Sequence, residues 1–135
     1  MSRSFEGRCL VDGEAEAEIL YCTDKIPGWG GISYATGEII EVGHPQFGQS
    51  IAGKILVIPG AKGASGWSGQ FHIARVNGVG PAAVVTRTLN TKLALGIAVA
   101  EAPALIDLPE EAYALMQTGR RARICGSTLT FLDED

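Results

Sequence analysis

Residues 59–69 read PGAKGASGWSG, four glycines, a lysine, two serines and a tryptophan between an apolar run and an amphipathic one. Glycine lets a ligand come close to the backbone. If a helix begins after the loop, its first N–H groups are unpaired and carry partial positive charge. Lys62 adds a full charge, and Ser65 and Ser68 add hydroxyls. Backbone around Gly63, Ala64 and Gly66, together with Lys62 and Ser68, therefore suits an anionic group, a carboxylate or a phosphate. The stretch is neither GxxxxGK[ST] nor GxGxxG. The same residues also spell a Gly-rich turn with a capping serine, and the local pattern leaves both readings open.

Other candidates carry less. His72 falls in the segment after the loop and is expected on the surface. His44-Pro45 looks like a turn. Glu110 and Glu111 are explained as acids opening a helix, and Asp107 stands alone. Trp29, within GWGG, reads as a packed loop anchor. The three cysteines, Cys9, Cys22 and Cys125, are odd in number and widely spaced. They suit reduced thiols behaving as buried small hydrophobes, and with no CxxC pair a metal site made by this chain alone is not expected.

Elements must hold the loop in place. KILVIP (54–59) and PAAVVTR (81–87) have the length and branched content of strands covered on both faces. SGQFHIARVNG spaces Phe71, Ile73, Ala74 and Val76 as a helix starting near Trp67 or Ser68 and stopping at Asn77-Gly78. This predicts a βαβ unit with parallel, adjacent strands and a right-handed crossover, whose ligand crevice lies at the strand's carboxyl end. FEGRCLV and AEAEILY read as strands around an Asp12-Gly13 turn, and a strand is expected near 38–41. Asn90 opens a short helix followed by strand-like apolar runs, PEEAYALMQTG is a helix with Pro109 near its start, and RARICGSTLTFL closes as two strands around Gly126-Ser127. The sum is a β-rich α/β fold, one domain over residues 1–135.

Composition bounds the function. At 135 residues and 46% hydrophobic, the chain can bury a core unaided. A net charge of −4 argues against nucleic acid. The basic cluster GRRAR (119–123) reads as a solvated entry to a strand. No apolar run reaches the roughly 20 residues of a membrane helix, and no signal peptide is apparent, so the expectation is a cytoplasmic protein without a membrane partner.

Several pieces in order, GWGGISYATGEIIEVGHPQFGQSIAGKILVIPGAKGASGWSG followed by GVGPAAVVTR, resemble the small subunit, or swivel domain, of the aconitase X group, from near Cys9 to near Gly126. The resemblance implies a swivelling β/β/α fold and a place in a hydro-lyase (dehydratase) made with a larger catalytic subunit. It implies an iron–sulfur cluster carried by that partner, with none bound by this chain alone. It implies an anionic substrate, phosphomevalonate in archaea or cis-3-hydroxy-L-proline in bacteria. The composition carries no archaeal mark, so the second is expected here. The family's small subunit supplies a loop serine for proton transfer. Ala64 stands where the family's first serine stands, Lys62 where arginine is common, and Trp67 in place of a glycine. Alanine cannot move a proton, so either Ser65 takes over after a one-residue shift of the loop or the partner subunit supplies the base; Ser65 is the expected catalytic residue and Ser68 the expected N-cap. The alternative is a diverged paralogue, an isomerase subunit or a non-catalytic anion-binding module.

Overall fold

The computed structural model describes residues 3–27, 31–62, 67–89 and 91–132. Eight strands form one sheet in the order β1-β10-β9-β3-β5-β7-β8-β2. They are β1 Arg3–Glu6, β2 Arg8–Val11, β3 Glu14–Tyr21, β5 Ile55–Ile58, β7 Ala83–Thr86, β8 Ala104–Ile106, β9 Arg121–Cys125 and β10 Thr128–Phe131. Two short strands, β4 Ile26–Pro27 and β6 Ala61–Lys62, pair in parallel beside it. The helices are α1 Trp67–Val76, α2 Thr91–Ala100 and α3 Glu110–Ala114.

β1 and β2 are separated by one residue, Gly7, yet lie at opposite ends of the strand order. The sheet must therefore curl until its two edges meet, which gives a nearly closed barrel. Gly7 sits at that seam. A Cβ there would lie 2.8 Å from the carbonyl oxygen of Ile106 and 3.0 Å from Leu108, so the close approach requires glycine.

β3 joins two kinds of pairing. Its first half, Glu14–Glu18, runs antiparallel to β9, and its second, Ile19–Tyr21, runs parallel to β5. β5, β7 and β8 continue in parallel. β5 and β7 are buried at every position, because alternate side chains enter two cores. Ile55, Val57, Ala83 and Val85 pack into the barrel with Leu129, Phe131 and Tyr113. Leu56, Ile58 and Val84 pack outward against Phe71 of α1 and Leu93 and Ile97 of α2.

The central βαβ unit keeps the predicted strand pairing, helix start and helix stop. β5 and β7 are adjacent and parallel, α1 begins at Trp67, and Gly78 follows it at φ 77° with its N–H on Arg75 O. The closing strands around Gly126-Ser127 also pair as expected. Four expectations need correction. The strands flanking Asp12-Gly13 do not form a hairpin: β2 pairs with β8 and β3 with β9 and β5, because Gly7 divides the first strand and sends its second half to the far edge. Residues 38–41 make only isolated bridges, Ile32 with Ile39 and Glu38 with Ser50. α2 is a ten-residue helix, not a short start followed by strand. Its buried stripe, Leu93, Ile97 and Ala100, has helical spacing, but the exposed Leu95 blurs it in the sequence. α3 has only five residues, with Pro109 as its N-cap. Among the described residues no helix is long and apolar enough to cross a membrane.

Candidate functional site

Because β3, β5, β7 and β8 are parallel, the segments that leave their carboxyl ends gather along one edge. These are the residues after Tyr21, Ile58, Thr86 and Ile106. In an α/β sheet this edge is where ligands bind. The loop after β5 enters it under tight control. Thr88, from the β7 side, donates twice to the carbonyl of Pro59, from its N–H at 3.1 Å and its hydroxyl at 2.8 Å. The buried Thr86 hydroxyl donates to Thr88 O at 2.7 Å, and Arg87 N–H donates to Ile58 O at 3.2 Å. Gly60 lies against this latch. A Cβ at Gly60 would fall 2.2 Å from the Thr88 hydroxyl oxygen, so a side chain there is excluded without moving Thr88. Beyond it, β6 pairs with β4 and sets Lys62 opposite Pro27.

Of the residues expected in the site, Lys62 ends β6 and Ser68 is the second residue of α1. Gly63, Ala64, Ser65 and Gly66 lie outside the described residues, as does Trp29. The stretch that holds Ser65 is thus bracketed by a strand and by the N-terminus of a ten-residue helix. Since α1 starts at Trp67, Ser68 falls within the first turn and not at the N-cap.

The side chains that the sequence reading passed over are Arg87, Tyr21 and Tyr113. Arg87 stacks on the Tyr113 ring with 3.9 Å to its centroid, pairs with Glu110 at 2.5 Å and hydrogen-bonds the Tyr21 side chain. Burial works against its charge, but the bonds to Tyr21 and Glu110 outweigh that and hold it firmly protonated. Burial pushes the Tyr113 hydroxyl upward, and that hydroxyl donates to Thr86 O. The one sequence sign of this cluster is a basic residue directly after the apolar run PAAVVT.

His44, which the His-Pro pair marks as a turn residue, is also buried. Its Nε2 lies 3.2 Å from the carbonyl oxygen of Asp24, which can only accept, so Nε2 carries the proton. Its Nδ1 accepts the Gln46 N–H at 3.0 Å. Both nitrogens are committed, and the ring acts as a fastener. His72 is exposed on α1, as expected.

The acids at the start of α3 do not form a carboxylate dyad: Glu110 goes to Arg87, Glu111 to Arg3, and Asp107 to Arg8 at 3.4 Å. The cysteines are free, but only Cys22 is buried, while Cys9 and Cys125 are exposed. They stood as buried hydrophobes in the sequence reading. Cys9 lies on β2, at one end of the strand order, and Cys125 ends β9, where alternate side chains face solvent. Among the described residues no three His, Cys, Asp or Glu side chains come together as a metal site. The described residues thus offer no ligand set for an iron–sulfur cluster.

Comparison with known proteins adds a second line. The sequence profile of the aconitase X swivel domain matches residues 4–131. The chain is 37% identical over 117 residues to a phosphomevalonate dehydratase small subunit of Archaeoglobus fulgidus, covering 87% of this chain and 88% of that protein. It is 37% identical over 94 residues to a cis-3-hydroxy-L-proline dehydratase of Pseudomonas aeruginosa, covering 70% of this chain but 16% of that protein. The crystal structure of Thermococcus kodakaraensis aconitase X in its holo-form superposes with a TM-score of 0.90 at 27% identity, over 97% of this chain and 99% of that one.

Proposed function

The chain belongs to the aconitase X swivel-domain family, and we propose that it serves as the small subunit of a dehydratase that removes water from a small anionic hydroxy acid, of the cis-3-hydroxy-L-proline kind. The observation that carries this reading is the place of the Gly-rich loop. It links the carboxyl end of a buried parallel strand to the N-terminus of α1, in a chain whose relatives are named dehydratases.

In such a reaction a proton leaves the carbon beside the carboxylate and its electron pair forms the double bond. The hydroxyl departs with a proton as water. The N–H groups from Gly63 to Gly66 and the Lys62 ammonium hold the anionic group, helped by the partial charge at the start of α1. Ser65 moves the proton, and Ser68 follows in the first turn of α1. The larger subunit supplies the second wall of the site. Any iron–sulfur cluster is assigned to that subunit, as the family resemblance implies, and no step above runs through it.

One observation favours a second reading. Ala64 takes the place of the family's first serine, which fits a diverged subunit with altered chemistry, such as an isomerase subunit or an anion-binding module.

The test is reconstitution of the full chain with the larger subunit of the same organism, followed by assays on cis-3-hydroxy-L-proline, phosphomevalonate and other 3-hydroxy acids. Water loss from an anionic substrate by the pair, and none by either chain alone, is expected. A pair that acts only on neutral substrates, or a chain that takes up no larger subunit, overturns the reading.

A further inference from the structure

Residues 39–49 form a loop closed upon itself. The N–H of Ile39 donates to Gln49 O at 2.9 Å, and that of Gly48 donates to Ile39 O at 2.8 Å. Its tip is wound by bonds from His44 N–H to Glu41 O and from Phe47 N–H to His44 O. Two side chains fasten it beside the carboxyl end of β3. His44 donates to Asp24 O, and Gln46 Oε1 accepts the Thr23 N–H at 3.2 Å. Ile39 is fully buried beneath it.

The base of the loop thus enters the core through Ile39. Even so, Ile40, Val42 and Phe47 stand 42%, 89% and 56% exposed. Single exposed apolar residues are ordinary. Three within eight residues, on a loop held by its own hydrogen bonds, concentrate exposed apolar surface in one segment, the kind of surface a partner covers. Ile73 and Val76 share α1 and Leu95 stands on α2, so these exposed residues lie on helices and not on this loop.

We propose that this loop is the docking surface for the larger dehydratase subunit, with Val42 and Phe47 as its anchors. The proposal rests on the function proposed above. Two observations select this occupant. Relatives of the whole chain are named small subunits, and the hydroxyproline dehydratase matches over only 16% of its length, so its equivalent of this domain sits within a far longer chain. The third argument is position. The loop is pinned to Thr23 and Asp24, and β4, which follows within the same segment, pairs with β6 at the mouth of the Gly-rich loop. The loop is thereby tied to the segments that leave the carboxyl ends of β3 and β5, the edge where the site needs its second wall.

The test titrates the full chain into the larger subunit of the same organism by calorimetry. Val42→Glu and Phe47→Glu should each weaken binding by about tenfold or more, as expected for buried apolar anchors. Both should keep the native unfolding midpoint, because both side chains stand in solvent. Phe47→Ala, the milder change, should lower affinity in the same direction. Val76→Glu and Leu95→Glu should bind like the native chain. Native-like binding by the Val42 and Phe47 variants overturns the surface and leaves the proposed function standing, as does equal weakening by the Val76 and Leu95 variants. A native chain that does not bind the larger subunit overturns the proposed function and this surface together. A native chain that pairs with itself, and returns to a monomer as Val42→Glu, assigns the patch to a second copy and overturns the proposal.

Discussion

The two halves of the sheet solve the problem of polar groups differently. β5, β7 and β8 are buried on both faces, so they offer ligands nothing but their ends. β9 and β10 alternate, with one face in the barrel and one toward solvent. The polar groups of that outer face are largely spent on one another. Arg121 pairs with Glu16, Glu6 accepts from Ser127 and Thr128, and Ser4 meets Thr130. β3 belongs to both halves, antiparallel at its start and parallel at its end. The difference teaches where function can reside. A doubly covered parallel strand pushes its chemistry to the carboxyl edge, where the Gly-rich loop begins, while the hairpin half closes the barrel and satisfies itself.

The sharpest way to break this contrast is to truncate one residue in each half. Leu56→Ala removes a side chain buried between β5 and the helices and should cost about 2–5 kcal/mol by chemical denaturation. Arg123→Ala, on the outer face of β9, should stay within about 0.5 kcal/mol. Comparable losses would mean that the hairpin half is not the tolerant one.

Next comes the edge itself. Ser65→Ala should lower kcat of the reconstituted enzyme about 100-fold or more, equivalent to roughly 2.7 kcal/mol of barrier, with the unfolding midpoint unchanged. If Ser65→Ala is silent and Ala64→Ser alone raises dehydration strongly, the proton-transfer position is 64 and the chemistry of this chain has diverged.

A smaller effect probes the latch that feeds the loop. Thr88→Val deletes the hydroxyl bond to Pro59 O and should cost about 1 kcal/mol. It should also slow turnover, because the entry to the loop is no longer held. Thr88→Ser should restore both. Stability that falls while kcat holds would confine the latch to folding.

The smallest effect lies at Cys22, just past β3. Burial pushes its thiol from 9.0 up to about 12. The folded chain therefore keeps this proton after the unfolded chain has lost it. The contribution to stability is complete below pH 9.0 and fades as pH rises toward about 12. Denaturation at stepped pH should show an alkaline slope that Cys22→Ala flattens. Thiol reagents should label the exposed Cys9 and Cys125 in the native chain, and the buried Cys22 only after unfolding.

Much of the fold was legible because it is written in short-range patterns. The apolar runs of β5 and β7, the helical spacing of Phe71 and Ala74, the stop at Asn77-Gly78 and the turn at Gly126 each need only neighbours within a few residues. The Gly-rich stretch after β5 stood out for the same reason, since its composition is local, though composition alone leaves a ligand loop and a plain turn both open. α2 was half legible, because Leu95 faces solvent and leaves the apolar sequence without a clear period.

What tertiary structure decided are the pairings between distant residues. Gly7 sends β1 and β2 to opposite edges because the barrel must close there, and no local pattern states which strand waits on each side. His44 becomes a buried fastener only when Asp24 O is brought to its Nε2. Arg87 becomes a fixed cation only between Tyr21, Glu110 and Tyr113. Sequence sets which faces want burial and where the chain can turn. Which groups then meet depends on how the curled sheet brings its ends together, and a hydrogen bond or an ion pair exists only after that closure.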